Sequence, residues 1–402
     1  MIMDVKNCFG CSACAQICPQ QCIRMIPDVE GFGYPSVDES ACIKCGLCYE
    51  VCPSLKDTLF ETAESQKFYA FVYKDRNIVE QSSSGGAFTA IAEAFCNVGS
   101  YKIFGAKWND DFSVSHSSID DVSDIDIFRK SKYLQSEIGN SYIEVENALK
   151  DGQTVVFSGT PCQVAGLKSF LKKDYDRLLL LDIICHGVPS KLIFQQYIKS
   201  LEKKSQSYMS QYIFRFRKSL FGIIDPFASR AVFANDKTVD LFSYENEYLK
   251  SFFIALNYRL SCYNCPYSRK QRVSDITIGD FWGIEKYDKK YNATKGVSLI
   301  ISNTRKGENL LLFLNDGHTI EQVPEKFALE NNRNLKTPSK MHSRRKEYIN
   351  HILHEDFIEV TKNYIPKISK IKFFAANSPM GKFVKAVINR KDKHEDINDY
   401  MS

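Results

Sequence analysis

Short apolar runs, each closed by Gly, Pro or Ser and followed by an amphipathic stretch, recur through the middle of this chain. FYAFVYK (68–74) and YKIFGAKW (101–108) have the length and aromatic content of strands, and QTVVFSG and RLLLLDIICHG (177–187) read as buried strands. Between them, GGAFTAIAEAF, SYIEVENALKDG (141–152), PCQVAGLKSFLKK and PSKLIFQQYIKSLEKK place apolar residues at helical spacing, with Gly152 as a stop. This alternation predicts an α/β domain over 66–325, in an N-terminal part (66–150) and a C-terminal part (151–325). YIFRFRK, ASRAVFA, SDITIGDF and GVSLIISN predict further strands, so the sheet is expected to be mixed rather than purely parallel.

The ends of the chain have a different texture. Residues 1–60 form a separate small module, and the polar stretch 54–66 reads as a linker. Beyond 325, MHSRRKEYINHILHEDF and IPKISKIKFFAANSPMGKFVKAVINRKD mix apolar and basic residues at helical spacing. They predict a basic helical tail, 326–402, that packs back on the body, with His342, His351 and His354 at its surface. The expected class is thus α+β or α/β: a small N-terminal module, a larger mixed-sheet domain and a short helical tail.

Composition narrows the setting. Of 402 residues 44% are hydrophobic and 25% charged, ordinary for a globular chain. No run reaches the roughly 18 apolar residues of a spanning helix. MIMDVKNC has no apolar signal core, so a cytoplasmic location is expected, with the fourteen cysteines as reduced thiols. Net charge is +5, and 331–402 holds fifteen Lys/Arg against eight Asp/Glu. The acids are interspersed, which reads as a solvated face rather than a nucleic-acid surface; any membrane contact would be peripheral, through the tail.

Cysteine spacing carries the chemistry. Cys8, Cys11, Cys14 and Cys18 read C-x2-C-x2-C-x3-C followed by Pro19, and Cys42, Cys45, Cys48, Cys52 and Pro53 repeat it. This is the pattern of bacterial two-cluster ferredoxins, in which the fourth cysteine of each run serves the other cluster. Cys8, Cys11, Cys14 and Cys52 are expected to hold one 4Fe–4S cluster, and Cys18, Cys42, Cys45 and Cys48 the second. Gly10 and Gly46 would let backbone approach sulfide. Structural zinc usually draws on separated ligand pairs, and disulfides at this spacing would be strained. Cys22 falls outside the repeat and reads as a small apolar residue.

Two turns in the body also stand out. SSSGG (82–86) precedes a helix, a geometry that binds phosphate or caps a helix. SGTPC (158–162) joins a buried strand to a helix with Pro161 in the first turn, where sheets of this kind place ligands. The helix start should lower the Cys162 thiol pKa. Setting aside the eight module cysteines, Cys22 and Cys96 leaves Cys162, Cys185, Cys262 and Cys265, each beside a turn with Gly or Pro. A third 4Fe–4S cluster is the first reading of this set. Zinc, and a redox thiol at Cys162 beside a C-x2-C pair, remain open.

Read in order, SSSGGAFTAIAEA, RKSKYLQSEIGNSY, VVFSGTPCQVAGLKSFL, DIICHGVPS and CYNCPYSRKQRVSDITIGDFWG resemble the coenzyme F420 hydrogenase/dehydrogenase beta-subunit family, here with a ferredoxin module in front. The resemblance covers roughly residues 1–320. It implies an FAD-containing iron–sulfur oxidoreductase that exchanges electrons with a two-electron carrier, a deazaflavin in the type members. FAD would then lie along Ser83, Ser84, Gly85 and Gly86, with Lys130, Ser131, Lys132 and Tyr133, and with Ser158, Gly159 and Thr160. The resemblance also favours a cluster near the flavin. His186, beside Cys185, would be a proton donor there or a histidine hydrogen-bonded at a strand end. Asp275, Asp280 and Trp282 are expected to be structural.

The expected function is transfer of electrons between the ferredoxin-type clusters and FAD, which exchanges a hydride or electron pair with a small redox substrate. Expected partners are a redox protein or complex and a small-molecule carrier. The alternative is a non-catalytic electron-transfer subunit docked on a larger redox complex.

Overall fold

The computed structural model describes residues 6–56, 66–97 and 99–365. Most of the expected linker (57–65) and the second basic segment (366–402) lie outside the described residues. By contacts the chain forms two units, Met1–Lys191 with Tyr258–Ser339, and Leu192–Asn257 with Lys340–Ser402.

The first unit is organised by a nine-stranded sheet of β1 (Lys67–Val72), β2 (Tyr101–Trp108), β3 (Val114–Ile119), β4 (Ser136–Glu137), β5 (Thr154–Gly159), β6 (Leu178–Ile183), β7 (Ile276–Asp280), β8 (Ser298–Ser302) and β9 (Thr319–Val323). Their spatial order is β9-β1-β8-β7-β6-β5-β2-β3-β4. The central run β7-β6-β5-β2 is parallel, while β8, β1 and β9 join antiparallel on one side and β3 on the other. The sheet is mixed, as expected.

Strands buried on both faces carry unbroken apolar runs, and β5 and β6 follow that rule over 155–157 and 178–181. Val155, Phe157, Leu178 and Leu180 face a core with the helices Ser141–Lys150 and Pro161–Leu171. Val156, Leu179 and Leu181 face the opposite core, beneath the helix Ala87–Phe95. Pro161–Leu171 begins with a capping box: Thr160 and Gln163 satisfy each other's backbone, with Pro161 in the first turn.

The cysteine-rich module packs on the first of these cores, to which it contributes Phe9, Cys11, Ala13 and Val51. Its hairpin pairs Ile23–Pro27 with Gly33–Val37 antiparallel. The two cysteine loops share one backbone design: residues 10 and 12 have φ of +68° and +61°, and residues 44 and 46, thirty-four places later, +54° and +80°. Each loop gives glycine to one of its two left-handed positions, Gly10 in the first and Gly46 in the second, and leaves the other to Ser12 or Lys44. One-turn helices, Ala13–Gln16 and Leu47–Glu50, follow at equivalent places. Gln16 Oε1 accepts the Tyr142 N–H at 2.9 Å, so the module caps the helix Ser141–Lys150.

The second unit has a three-stranded sheet of Met209–Ile213, Ser229–Phe233 and Thr238–Leu241. The segments YIFRFRK and ASRAVFA, expected to extend the main sheet, build this one instead. The first strand stops at Ile213, and positive φ at Arg215 (+58°) and Arg217 (+53°) breaks the extended run. Rings of Phe194, Tyr197, Tyr212, Phe214, Tyr248 and Phe357 pack together at its core. The helices Arg345–His354 and Phe357–Thr361 bury Tyr348, Ile352 and Phe357 here. The basic stretch thus divides: 340–365 folds into the second unit, while Ala328 and Leu335 are core residues of the first.

Candidate functional site

Three voids, each walled by four or more cysteines, lie in the first unit. Cys8, Cys11, Cys14 and Cys52 line one; Cys18, Cys42, Cys45 and Cys48, with Cys22, line another; Cys162, Cys185, Cys262 and Cys265 line the third. In the module the fourth thiol of each run has changed partners, so Cys52 stands with the first run and Cys18 with the second. All fourteen cysteines are free thiols. Among the described residues no three His, Cys, Asp or Glu side chains gather tightly enough for a single metal ion.

The donor chemistry of these voids suits a cationic iron–sulfur core. Burial pushes the Cys14 thiol up to about 12 and Cys11 well above its ordinary value, with neighbouring thiols adding to both shifts. In the third set burial raises Cys162 to about 11, Cys262 to about 12 and Cys185 well above its ordinary value, and the neighbouring Cys262, Cys162 and Cys265 further oppose ionisation of Cys185. Four buried thiolates repel one another unless a positive core binds them. The lowering expected at Cys162 from its helix start does not occur, because desolvation outweighs the dipole. A thiol so raised is a poor nucleophile at neutral pH, which counts against the redox-thiol reading.

The first and third sets adjoin. Phe9, between Cys8 and Cys11, lines the third void and meets the Tyr267 ring edge-on at 5.5 Å between centroids. Cys11 lies within electrostatic reach of Cys162. A Cβ on Gly166 would come within 3.1 Å of Cys11 Sγ, so the helix carrying Cys162 touches the first cysteine loop. The second set is outermost: Cys45 is exposed, as are Ile43 and Tyr49 around it. Cys22 sits 3.4 Å from Cys18 by sulfur, closer to the second set than its place outside the repeat suggested.

The three turns named for FAD are joined in part. The Ser131 N–H donates to Ser83 Oγ at 2.7 Å, and the two hydroxyls lie 2.9 Å apart, which ties SSSGG to RKSKY. Ser84 and Gly85 are bound from below, Ser84 Oγ to the Val297 carbonyl and the Gly85 N–H to Ser298 Oγ. A Cβ on Gly85 would strike the Phe71 carbonyl at 2.3 Å, and Gly86 has φ +85°, so both glycines are required. Lys130 takes φ +63°. Lys132 Nζ points inward: it donates to the carbonyls of Phe128 and Arg129 at 3.1 and 3.0 Å. Burial pushes its ammonium down to about 7, against the pull of those acceptors. Tyr133 lies within electrostatic reach of Tyr258, which also feels Cys185 and Cys262, so RKSKY runs from the SSSGG turn toward the third void.

The sequence did not single out His116 on β3. Its Nε2 faces the Ser158 carbonyl at 2.9 Å, and its ring stacks on Phe157. Burial pushes its pKa down to about 4, so the ring is neutral and Nε2 carries the proton. Nδ1 is then a buried acceptor with no partner among the described residues. Such an orphan beside Ser158–Thr160 fits a ligand bearing ring N–H or hydroxyl donors, as FAD does. His186 is exposed and lines the third void; its carbonyl accepts the Ser339 hydroxyl at 2.7 Å. Asp275 has a structural post, accepting the Leu180 N–H and the Thr304 hydroxyl.

Comparison with known proteins agrees with the cysteine arrangement. Residues 7–55 match the family model described as 4Fe-4S dicluster domain, and residues 152–326 the model for the C terminus of the beta subunit of coenzyme F420 hydrogenase/dehydrogenase. No curated protein matches the chain. Among solved structures, one of the xenon-derivatised F420-reducing NiFe hydrogenase complex from Methanosarcina barkeri aligns at 15% identity and a TM-score of 0.41, covering 74% of this chain and 90% of that one. Residues 152–326 therefore belong to the coenzyme F420 hydrogenase/dehydrogenase beta-subunit family, through its C-terminal domain, and an iron–sulfur dicluster domain precedes them.

Proposed function

We propose that this protein is an iron–sulfur flavoprotein oxidoreductase. Electrons pass along three 4Fe–4S clusters, and FAD lies at the inner end of the chain. One observation carries the reading: three cysteine-lined voids follow one another from an exposed face to the Tyr133 end of the RKSKY segment. The second set, with Cys45 exposed, is the port for a redox partner protein. The first set relays to the third, whose ligands are Cys162, Cys185, Cys262 and Cys265.

FAD converts between single electrons and a hydride or electron pair, which is what a small two-electron substrate of the deazaflavin kind requires. Ser83, Gly85 and Gly86 would hold it at the helix start, Ser131 would fix the turn, and Ser158–Thr160 with His116 would present donors and acceptors to it. His186 would supply or receive a proton beside the third void. Fourteen free thiols suit a reducing compartment, and no helix among the described residues is long and apolar enough to cross a membrane.

The test is anaerobic purification followed by flavin and iron analysis. About twelve iron atoms per chain and released FAD are expected, and reoxidation by a deazaflavin, a nicotinamide and a quinone would identify the carrier class. Iron without flavin after reconstitution would favour the second reading, an electron-transfer subunit without a substrate site. The exposed apolar residues Ile43 and Tyr49 beside Cys45 lend that reading its support.

A further inference from the structure

Among the described residues Arg259 is the largest fully buried side chain, 1% exposed. Its backbone belongs to the third cysteine set: its N–H donates to the Val188 carbonyl at 2.9 Å, and its carbonyl accepts the Cys262 N–H at 3.0 Å. Its guanidinium belongs to the first. Nε donates to the Cys8 carbonyl at 2.7 Å, Nη2 to the Gly33 carbonyl at 2.9 Å and Nη1 to Gln135 Oε1 at 3.2 Å. The Tyr34 ring lies 4.2 Å from Cζ and the Phe32 ring 5.5 Å. Ser261 Oγ donates to the same Cys8 carbonyl at 2.9 Å.

Every one of these acceptors is neutral. Among the described residues no carboxylate pairs with Arg259. Of the acids in the adjacent hairpin, Asp28 is exposed and Glu30 partly so. A guanidinium does not deprotonate, and a buried charge without a counter-ion is strongly unfavourable. The anionic groups nearest to it would be cluster thiolates: its guanidinium is bound to the backbone of Cys8, and its own carbonyl to that of Cys262. Gly10 makes the close approach possible, since a Cβ there would lie 2.9 Å from Nη1.

We propose that Arg259 is the buried counter-charge shared by the clusters of the first and third cysteine sets, and that it stabilises their reduced forms. Reduction adds one electron, and so one unit of negative charge, to a cluster whose thiolate ligands already make it anionic. A fixed positive charge in a low-dielectric site favours that step and raises the cluster potential. The placement between two sets also links them, since an electron on either cluster is attracted to the same cation. Arg259 is therefore a potential-setting residue of the electron path rather than a ligand.

The inference rests on the cluster reading above, and iron content separates the two. Full-length Arg259→Gln and Arg259→Lys proteins, purified anaerobically, are assayed for iron and titrated with a chemical reductant under EPR. With its iron retained, Arg259→Gln is expected to lower the reduced-to-oxidised ratio of an inner cluster at least tenfold at the wild-type midpoint, about 59 mV for a one-electron couple. Arg259→Lys, which keeps the charge and loses the fork of hydrogen bonds, should stay close to wild type. An unchanged titration of iron-replete Arg259→Gln would overturn the proposal. If Arg259→Gln loses its iron, Arg259→Lys decides: wild-type potentials support the charge, and a tenfold change in ratio overturns it. Wild-type protein without iron would defeat the cluster reading itself.

Discussion

Gly166 stands where any side chain would meet Cys11: a Cβ there would lie 3.0 Å from Cys11 Cβ, 3.1 Å from its sulfur and 2.7 Å from the Tyr142 hydroxyl. The helix Pro161–Leu171 can lie against the cysteine loop only because this position is bare. Overpacking a tight site typically costs about 1–3 kcal/mol. Gly166→Ala is therefore expected to lower the melting temperature by several degrees and to weaken retention of the first cluster's iron. Calorimetry and iron analysis on the same preparation check both.

The crossed arrangement of the module gives a second expectation. Cys18→Ser should remove about four iron atoms from about twelve, and Cys262→Ser about four from the third set, each cubane holding four. Cys22→Ser, although its sulfur lies only 3.4 Å from that of Cys18, should leave iron unchanged. Full iron in Cys262→Ser would remove the third cluster from the scheme.

The two parts of this site differed in how plainly the sequence announced them. The module's ligands lie within eleven residues of one another in each run, so spacing alone groups them, and even the exchange of Cys18 and Cys52 follows from the repeat. The third set spans 162 to 265 and has no spacing to read; it emerges only as thiols left over, and the fold then brings them around one void. Arg259 and His116 gave no signal, because their meaning lies in distant neighbours: Cys8 is 251 positions from Arg259, and Ser158 is 42 from His116. The strand VSHSSI was equally hidden, since serines dilute its alternation, and β9 (TIEQV) is a polar edge. The central strands β5 and β6, with their unbroken Val and Leu runs, were the most legible part of the fold.

His116 predicts a pH dependence of stability. Its folded pKa, about 4, lies below the ordinary 6.5, because burial penalises the imidazolium and Lys132 adds to the shift. Between pH 4 and 6.5 the unfolded chain binds the proton and the folded one does not, so stability rises with pH across that window. The contribution is about 3 kcal/mol lost on acidification from neutral pH to below 4. Melting curves of wild type and His116→Gln between pH 4 and 7 should diverge in slope, the variant showing the flatter profile.

Ser83 and Ser131 offer the most direct probe of the flavin reading. The hydroxyl of Ser83 accepts the Ser131 N–H and meets its Oγ, so one side chain holds two loops together. Ser83→Ala leaves that N–H without its partner, a change typically worth about 1–3 kcal/mol, and frees the RKSKY segment from the glycine turn. The expected result is FAD retained at least tenfold more weakly, measured by ultrafiltration of the reconstituted protein, with iron per chain unchanged. Gly85→Ala should do more, because its Cβ would strike the Phe71 carbonyl and shift the turn itself. Equal FAD retention in wild type and both variants would place the flavin elsewhere, and loss of iron together with FAD would mean that the turn supports the clusters rather than a cofactor.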